Sequence, residues 1–319
     1  MSKQLLYSIH ASKIHKEVMN ELKEKDIVLP GKSIQSIVHF IENSVKTKSN
    51  YDYKHPLIAG CAFPANVSVN ENVAHYTYSD QNKDYILTQD DIVKIDFGVH
   101  KHGYIIDSAE TFYFNDKYKD FIDISKKATE FAVKQSGVDK CLGDLGGEIE
   151  EYVHSKEVEI DNVTHSLYTL KELCGHNIGQ YKIHNSKAVP NCQFDYPLRM
   201  EEGEVYALEP FVSTHSYESY YDRPCNLFML NKDYLKHENK LTTLELEYFT
   251  KIKNQYNTLC FCDRWLKEEL NDFNSNIING LIHKNLIDEH ENIYVPKGHY
   301  VSQFEKNIYI NSNNVIELT

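Results

Sequence analysis

Residues 91–107 limit the possible folds more than any other stretch. In Ile92-Val93-Lys94-Ile95-Asp96-Phe97-Gly98-Val99-His100 and Tyr104-Ile105-Ile106-Asp107, β-branched and aromatic residues alternate on either side of Lys101-His102-Gly103. That pattern predicts two antiparallel strands joined by a tight turn. With Lys101 and His102 as the loop, His100 pairs with Gly103, and Asp96 stands opposite Asp107. Side chains so paired hold their Cβ atoms about 4.5–5.5 Å apart, and like charges there repel. A divalent cation between them resolves the conflict. The alternative is that one aspartate is out of register and solvated.

A chain of 319 residues can bury a large core as one big domain or one domain with an insert. No apolar run approaches the ~20 residues that cross a bilayer. The start, Met1-Ser2-Lys3-Gln4-Leu5-Leu6, lacks the apolar core and cleavage site of a secretory signal. Seven cysteines without framework spacing suit reduced thiols, so a cytoplasmic, non-membrane protein is expected. A net charge of −13 argues against a whole-surface nucleic-acid partner.

Apolar spacing predicts helices over 3–25, from 34 with Ser33 as N-cap, over 121–135 and over 142–153. Residues 46–54 read as a polar loop and 58–78 as strand and loop. Further strands are expected at 158–160, 204–209, 300–305 and 308–310. Between 229 and 292, Leu244, Tyr248, Ile252, Tyr256 and Leu259 fall at helical spacing, as do Ile277, Ile278, Leu281 and Ile282. This stretch reads as a helical insert, with Cys260-Phe261-Cys262 inside the helical pattern. The rest, 1–228 and 293–319, forms the main domain. Asp91–Asp96 and Glu204–Glu209 echo one another: an acid, four mostly apolar residues, an acid. The echo hints at two related halves that each deliver a carboxylate.

Asp96, Asp107, His176, Glu209 and Glu305 lie at the ends or middles of these apolar strands. Charged residues are seldom buried unless paired or bound to metal. Four carboxylates and one neutral imidazole balance two divalent cations, and oxygen–nitrogen ligation suits manganese, iron, cobalt or zinc. Taken singly, each has another reading. Glu209 can be an edge carboxylate, Glu305 an ion-pair partner of Lys306, and His176 a satisfied core histidine.

As a set, the motifs resemble those of type 2 methionine aminopeptidases. They are Lys94-Ile95-Asp96-Phe97-Gly98, Ile105-Ile106-Asp107, Gly175-His176-Asn177-Ile178-Gly179-Gln180-Tyr181-Lys182-Ile183-His184, Glu204–Glu209 and Gln303-Phe304-Glu305, with Phe63-Pro64, Ala74-His75-Tyr76 and the helical insert in support. The resemblance spans nearly the whole chain in order. It implies an α+β pita-bread fold with pseudo-two-fold halves, removal of the initiator methionine from nascent chains with a small second residue, and transient ribosome association. Asp96 would chelate one metal, Asp107 and Glu305 would bridge both, and His176 and Glu209 would complete the second. His75 and His184 match the two non-ligand histidines beside the scissile bond, and His75 the one that fumagillin-type epoxides alkylate. Phe63 and Ile183 match walls of the methionine pocket.

Two departures bear on the pocket. Asn226-Leu227-Phe228 stands where many members carry a histidine, and His290, with Tyr294 nearby, where a pocket tyrosine is often found. With the first helix starting almost at Met1, the long charged N-terminal extension of many eukaryotic members is not expected. Proline-directed relatives such as prolidase usually follow the second aspartate with Thr-Arg, whereas Asp107 precedes Ser108-Ala109-Glu110. Non-catalytic pita-bread proteins that bind RNA or partner proteins lose ligands and gain basic surface. This chain keeps all five ligands and is acidic.

Overall fold

Two N-terminal helices roof the first sheet. The computed structural model describes residues 2–80, 83–216, 219–234, 241–270 and 273–319. Helix α1 (Lys3–Glu24) buries Ala11, Val18 and Leu22 along one stripe. Helix α2 (Ile34–Ser49) starts where Ser33 Oγ accepts from the Ser36 N–H, and buries Ile34, Ile37, Val38, Ile41 and Val45. It runs through residues 46–49, where the sequence suggested a loop. Ser49 still faces the core, and the chain turns only at Asn50, which tolerates the left-handed conformation (φ 52°).

Beneath them lies an antiparallel sheet of β1 (Ala59–Val69), β3 (Ile92–Lys101) and β4 (Tyr104–Tyr113), and β2 (Asn72–Ala74) lies between β1 and β3 in the chain. The predicted hairpin is present, but its turn falls one residue later. His102 (φ 51°) and Gly103 (φ 76°) are the loop residues, because a two-residue turn of this hand needs positive φ at both positions. Asp96 therefore pairs with Ala109, and Asp107 with Gly98, which corrects the expected Asp96–Asp107 pair. The shift moves each partner by two residues and so preserves the face. The two aspartates remain on one side of the sheet as diagonal neighbours.

The second half repeats the arrangement. Strands β5 (Cys174–Ile178), β6 (Val205–Leu208) and β11 (Lys306–Ile310) form one antiparallel sheet, and β7 (Phe211–Ser213) pairs with β10 (Val301–Gln303) in another. Helices α3 (Lys119–Gln135) and α4 (Leu142–His154) cover this half. The halves are stitched along β4. Asp107 N–H donates to Asn307 Oδ1 at 2.7 Å, Ser108 Oγ to the Glu305 carbonyl at 2.5 Å, and Thr111 Oγ1 to the Gln303 carbonyl at 2.6 Å. The result is the pita-bread α+β fold.

Strands β8 (Tyr220–Leu230) and β9 (Ile287–Tyr294) pair with each other, and β9 also pairs with β2. Between them come α5 (Thr243–Tyr256), α6 (Asp263–Glu269) and α7 (Ser275–His283), packed around Phe249, Ile252, Trp265, Leu266 and Leu281. Residues 235–240 and 271–272 of this stretch lie outside the described residues. Leu244 does not join the buried row, since it sits in the first turn of α5 and is 50 % exposed. Phe261–Cys262 is a short strand against Leu227 and Phe228, not helix. A buried ion pair ties α6 to α2. Arg264 donates to both Glu42 oxygens at 2.7 and 2.8 Å, and Trp265 Nε1 adds a bond at 2.8 Å. None of the described helices is long and apolar enough to cross a membrane.

Candidate metal centre

Five strand segments aim acidic and imidazole groups at one point. Asp96 comes from the middle of β3, Asp107 from β4 and His176 from the middle of β5. Glu209 follows the end of β6, and Glu305 lies between β10 and β11. His176 Nε2 lies 3.5 Å from Asp107 Oδ2 and 3.5 Å from Glu209 Oε1. One ligand atom each from Asp107, His176 and Glu305 falls within 4.8 Å of the others. Asp96 is in hydrogen-bonding reach of Asp107, and Gln303 Nε2 donates to Glu209 Oε2 at 3.4 Å. The two halves of the fold thus supply the five groups jointly.

The site is acidic and largely buried. Asp107, His176 and Glu305 are buried. Among the described residues no lysine or arginine pairs with any of the four carboxylates. Asp96 Oδ1, both Glu305 carboxylate oxygens and His176 Nδ1 have no hydrogen-bond partner there. Burial, then the neighbouring carboxylates, pushes Asp96, Glu209 and Glu305 well above the usual carboxylate range, and burial holds Asp107 at about 7. Burial pulls His176 down to about 4, so its imidazole is neutral and free to ligate. Buried, unsatisfied acceptors are costly, and divalent cations satisfy them. The chemistry of these residues fits a divalent metal.

Of the remaining predicted residues, His184 lies nearest these groups. His184 sits edge-on to His176, ring centroids 4.4 Å apart, and burial lowers it to about 3. His75 follows β2 in a left-handed conformation (φ 68°), with Nδ1 3.0 Å from the Glu291 carbonyl oxygen of β9. That contact places the proton on Nδ1 and leaves Nε2 bare. Phe63 and Ile183 are buried in one cluster with Leu227 and Cys260. The Phe63 ring lies on Gly98, where a Cβ would come 2.3 Å from Phe63 Cε1. Two contributors, Asn307 and Cys260, escaped the sequence, and a third, His290, showed there only as a departure from the family pattern. The His290 ring stands 5.8 Å from His75 and 6.3 Å from His184. Asn307 orients Asp107, and buried Cys260 feels the charge of Asp107 and Asp96. Asn307 and Cys260 carry no local sequence signal, because each acts through a strand distant in the chain.

The fold and this centre define a metal-dependent peptidase. The chain belongs to metallopeptidase family M24, whose sequence profile matches residues 9–236, and within it to the type 2 methionine aminopeptidases. It is 36% identical over 304 residues to methionine aminopeptidase 2 of Dictyostelium discoideum, covering 94% of this chain and 67% of that protein. It is 34% identical over 306 residues to the protein of the same name from Komagataella phaffii, covering 95% and 66%. The chain thus spans about two thirds of the length of these relatives. Among solved structures, a methionine aminopeptidase from Thermotoga maritima superposes with a TM-score of 0.66 at 17% identity, covering 100% of this chain and 97% of that one. A thermophilic Arx1 superposes at 0.82 and 14%, covering 100% and 91%. These last two likenesses concern the fold alone.

Proposed function

We propose that this chain removes the initiator methionine from nascent proteins whose second residue is small, using two divalent ions of manganese, iron, cobalt or zinc. The supporting observation is the cluster of Asp96, Asp107, His176, Glu209 and Glu305, of which Asp107, His176 and Glu305 are buried, with four carboxylates, orphaned oxygens and no protein cation among the described residues. Those five residues would hold the ions. When bound, the ions supply Lewis acidity and lower the pKa of water. The protein's own groups do the rest. Asp96 faces the free amine of the substrate, whose positive charge suits a carboxylate. His184 and His75, neutral by burial, flank the scissile bond as hydrogen-bonding groups. The bare Nε2 of His75 is an acceptor for a substrate N–H and a nucleophile for fumagillin-type epoxides. Phe63 and Ile183 offer the apolar wall that a flexible thioether needs. The Gly175–His184 segment brings backbone close beyond the scissile bond and excludes bulky second residues. Such a chain works in the cytoplasm, in transient contact with ribosomes.

The test is metal content measured alongside release of methionine from Met-Ala-Ser, followed by Met-Ser, Met-Lys and Leu-Ser peptides of one length. Cleavage of Met-Ser with refusal of Met-Lys and Leu-Ser is expected. Comparable rates for Met-Lys would remove the steric wall. A demand for proline in second place, with indifference to the first residue, would point to a prolidase-like activity. No turnover and no bound metal would point to a binding protein.

A further inference from the structure

One imidazole in the site has no assigned partner. His290 lies in β9 directly opposite Leu227 of β8, so the two side chains stand on the same face of that sheet. Leu227 belongs to the buried apolar cluster that contains Phe63, Ile183 and Cys260. The His290 ring also stands near two other imidazoles, His75, edge-on at 5.8 Å, and His184 at 6.3 Å. His290 therefore stands where the histidines of the scissile bond meet the apolar wall. Its Nε2 is buried and has no hydrogen-bond partner among the described residues. Leu227, its cross-strand neighbour, can offer none. A buried polar atom left open at a ligand site is ordinarily satisfied by the ligand.

We propose that His290 reads the sulfur of the substrate's first residue, its Nε2–H donating to the thioether. The inference rests on the proposed aminopeptidase reading for the identity of that residue. The chemistry fits the position. The Met side chain carries one weak acceptor in an otherwise apolar chain, and an apolar pocket with a single donor distinguishes it from a hydrocarbon of the same length. His290 is thus a specificity-determining contact, distinct from the residues that would hold metal and from those flanking the bond to be cleaved.

The experiment compares methionine with norleucine, its sulfur-free isostere. In the manganese-loaded protein, equilibrium binding of the two free amino acids is read by calorimetry, and kcat/KM is read for Met-Ala-Ser and its norleucine analogue. Wild type should favour methionine about three- to tenfold in both, the worth of one hydrogen bond. In His290→Phe the ratio should fall towards one. In His290→Gln, which keeps an N–H donor, much of the preference should remain. Melting curves confirm that each variant is folded. A wild-type ratio near one would overturn the proposal. So would a His290→Phe variant that lowers binding of both amino acids equally, which would make His290 a structural or bond-flanking group. Binding does not require turnover, so the two readings fail separately. A wild-type chain that binds methionine over norleucine yet releases none from peptides would sink the proposed activity while supporting the role of His290.

Discussion

Metal binding at the carboxylate cluster is expected to expel protons, and the structure sets the size of the effect. Asp107 is held at about 7 by burial, and Asp96, Glu209 and Glu305 are raised well above the ordinary range by burial and by neighbouring carboxylates, Asp107 foremost. Near pH 6 roughly nine in ten Asp107 side chains then carry a proton in the metal-free chain, against about one in a hundred for an ordinary aspartate. His176, held at about 4, is already neutral and yields none. Ligands must be deprotonated, so each site filled near pH 6 displaces at least one proton. One proton per ion makes affinity rise about tenfold per pH unit, or about 1.4 kcal/mol, and about 100-fold between pH 5 and 7. Calorimetric titration with manganese near pH 6, in two buffers of different ionisation enthalpy, counts the protons directly. Zero protons together with a flat affinity would refute the reasoning, because the carboxylates would then be ionised before metal arrives. Asp107→Asn should release fewer protons, bind metal more weakly and abolish turnover.

The same linkage fixes the sign for stability. A carboxyl held at about 7 when folded and near 3.9 when unfolded favours the metal-free fold below pH ~3.9. That contribution is lost as pH rises through about 7, at a cost of about 4 kcal/mol for Asp107. Buried histidines run the other way. His15 and His176, lowered to about 4, stabilise the fold above pH ~6.5 and withdraw that support as pH falls through about 4. The upward thermal shift on adding manganese should therefore grow from about pH 5 to about pH 8.

Three further outcomes are expected. His75→Ala should keep its bound metal, read by elemental analysis, yet lose about 10²–10⁴ in rate, the usual contribution of a positioned acid–base or hydrogen-bonding group. Loss of metal would make His75 a ligand. Glu42→Gln leaves Arg264, 4 % exposed, without its carboxylate, and should cost about 3–5 kcal/mol. For a chain of 319 residues that lowers the melting temperature by about 5–7 °C, checked by calorimetry. Gly98→Ala places a Cβ against the Phe63 ring, so it should cost about 1–3 kcal/mol in a melt and raise KM for Met peptides as the ring is displaced.

The parts of this molecule that the sequence makes legible are those whose side-chain period is local. Alternation along β3 and β4 puts Asp96 and Asp107 on one face whichever two residues form the turn, and 3.6-residue spacing with a Ser33 cap is enough to start α2. The register itself is not local information. It depends on whether His102 accepts a left-handed backbone so that Gly103 can close the turn, and neighbouring hydrophobicity is silent about that. The site is less local still. Asp107, His176, Glu209 and Glu305 come from separate sheets in the two halves, so their order in the chain does not imply that they meet. Only the motifs taken together, through their resemblance to one family, suggested a common centre. His290 marks where that route ends. A departure from the family pattern can be seen in the sequence, but its meaning depends on a cross-strand partner, Leu227, and on an Nε2 with nothing to bond. Position opposite an apolar wall turns a substitution that looks like the loss of a tyrosine into a donor aimed at the substrate.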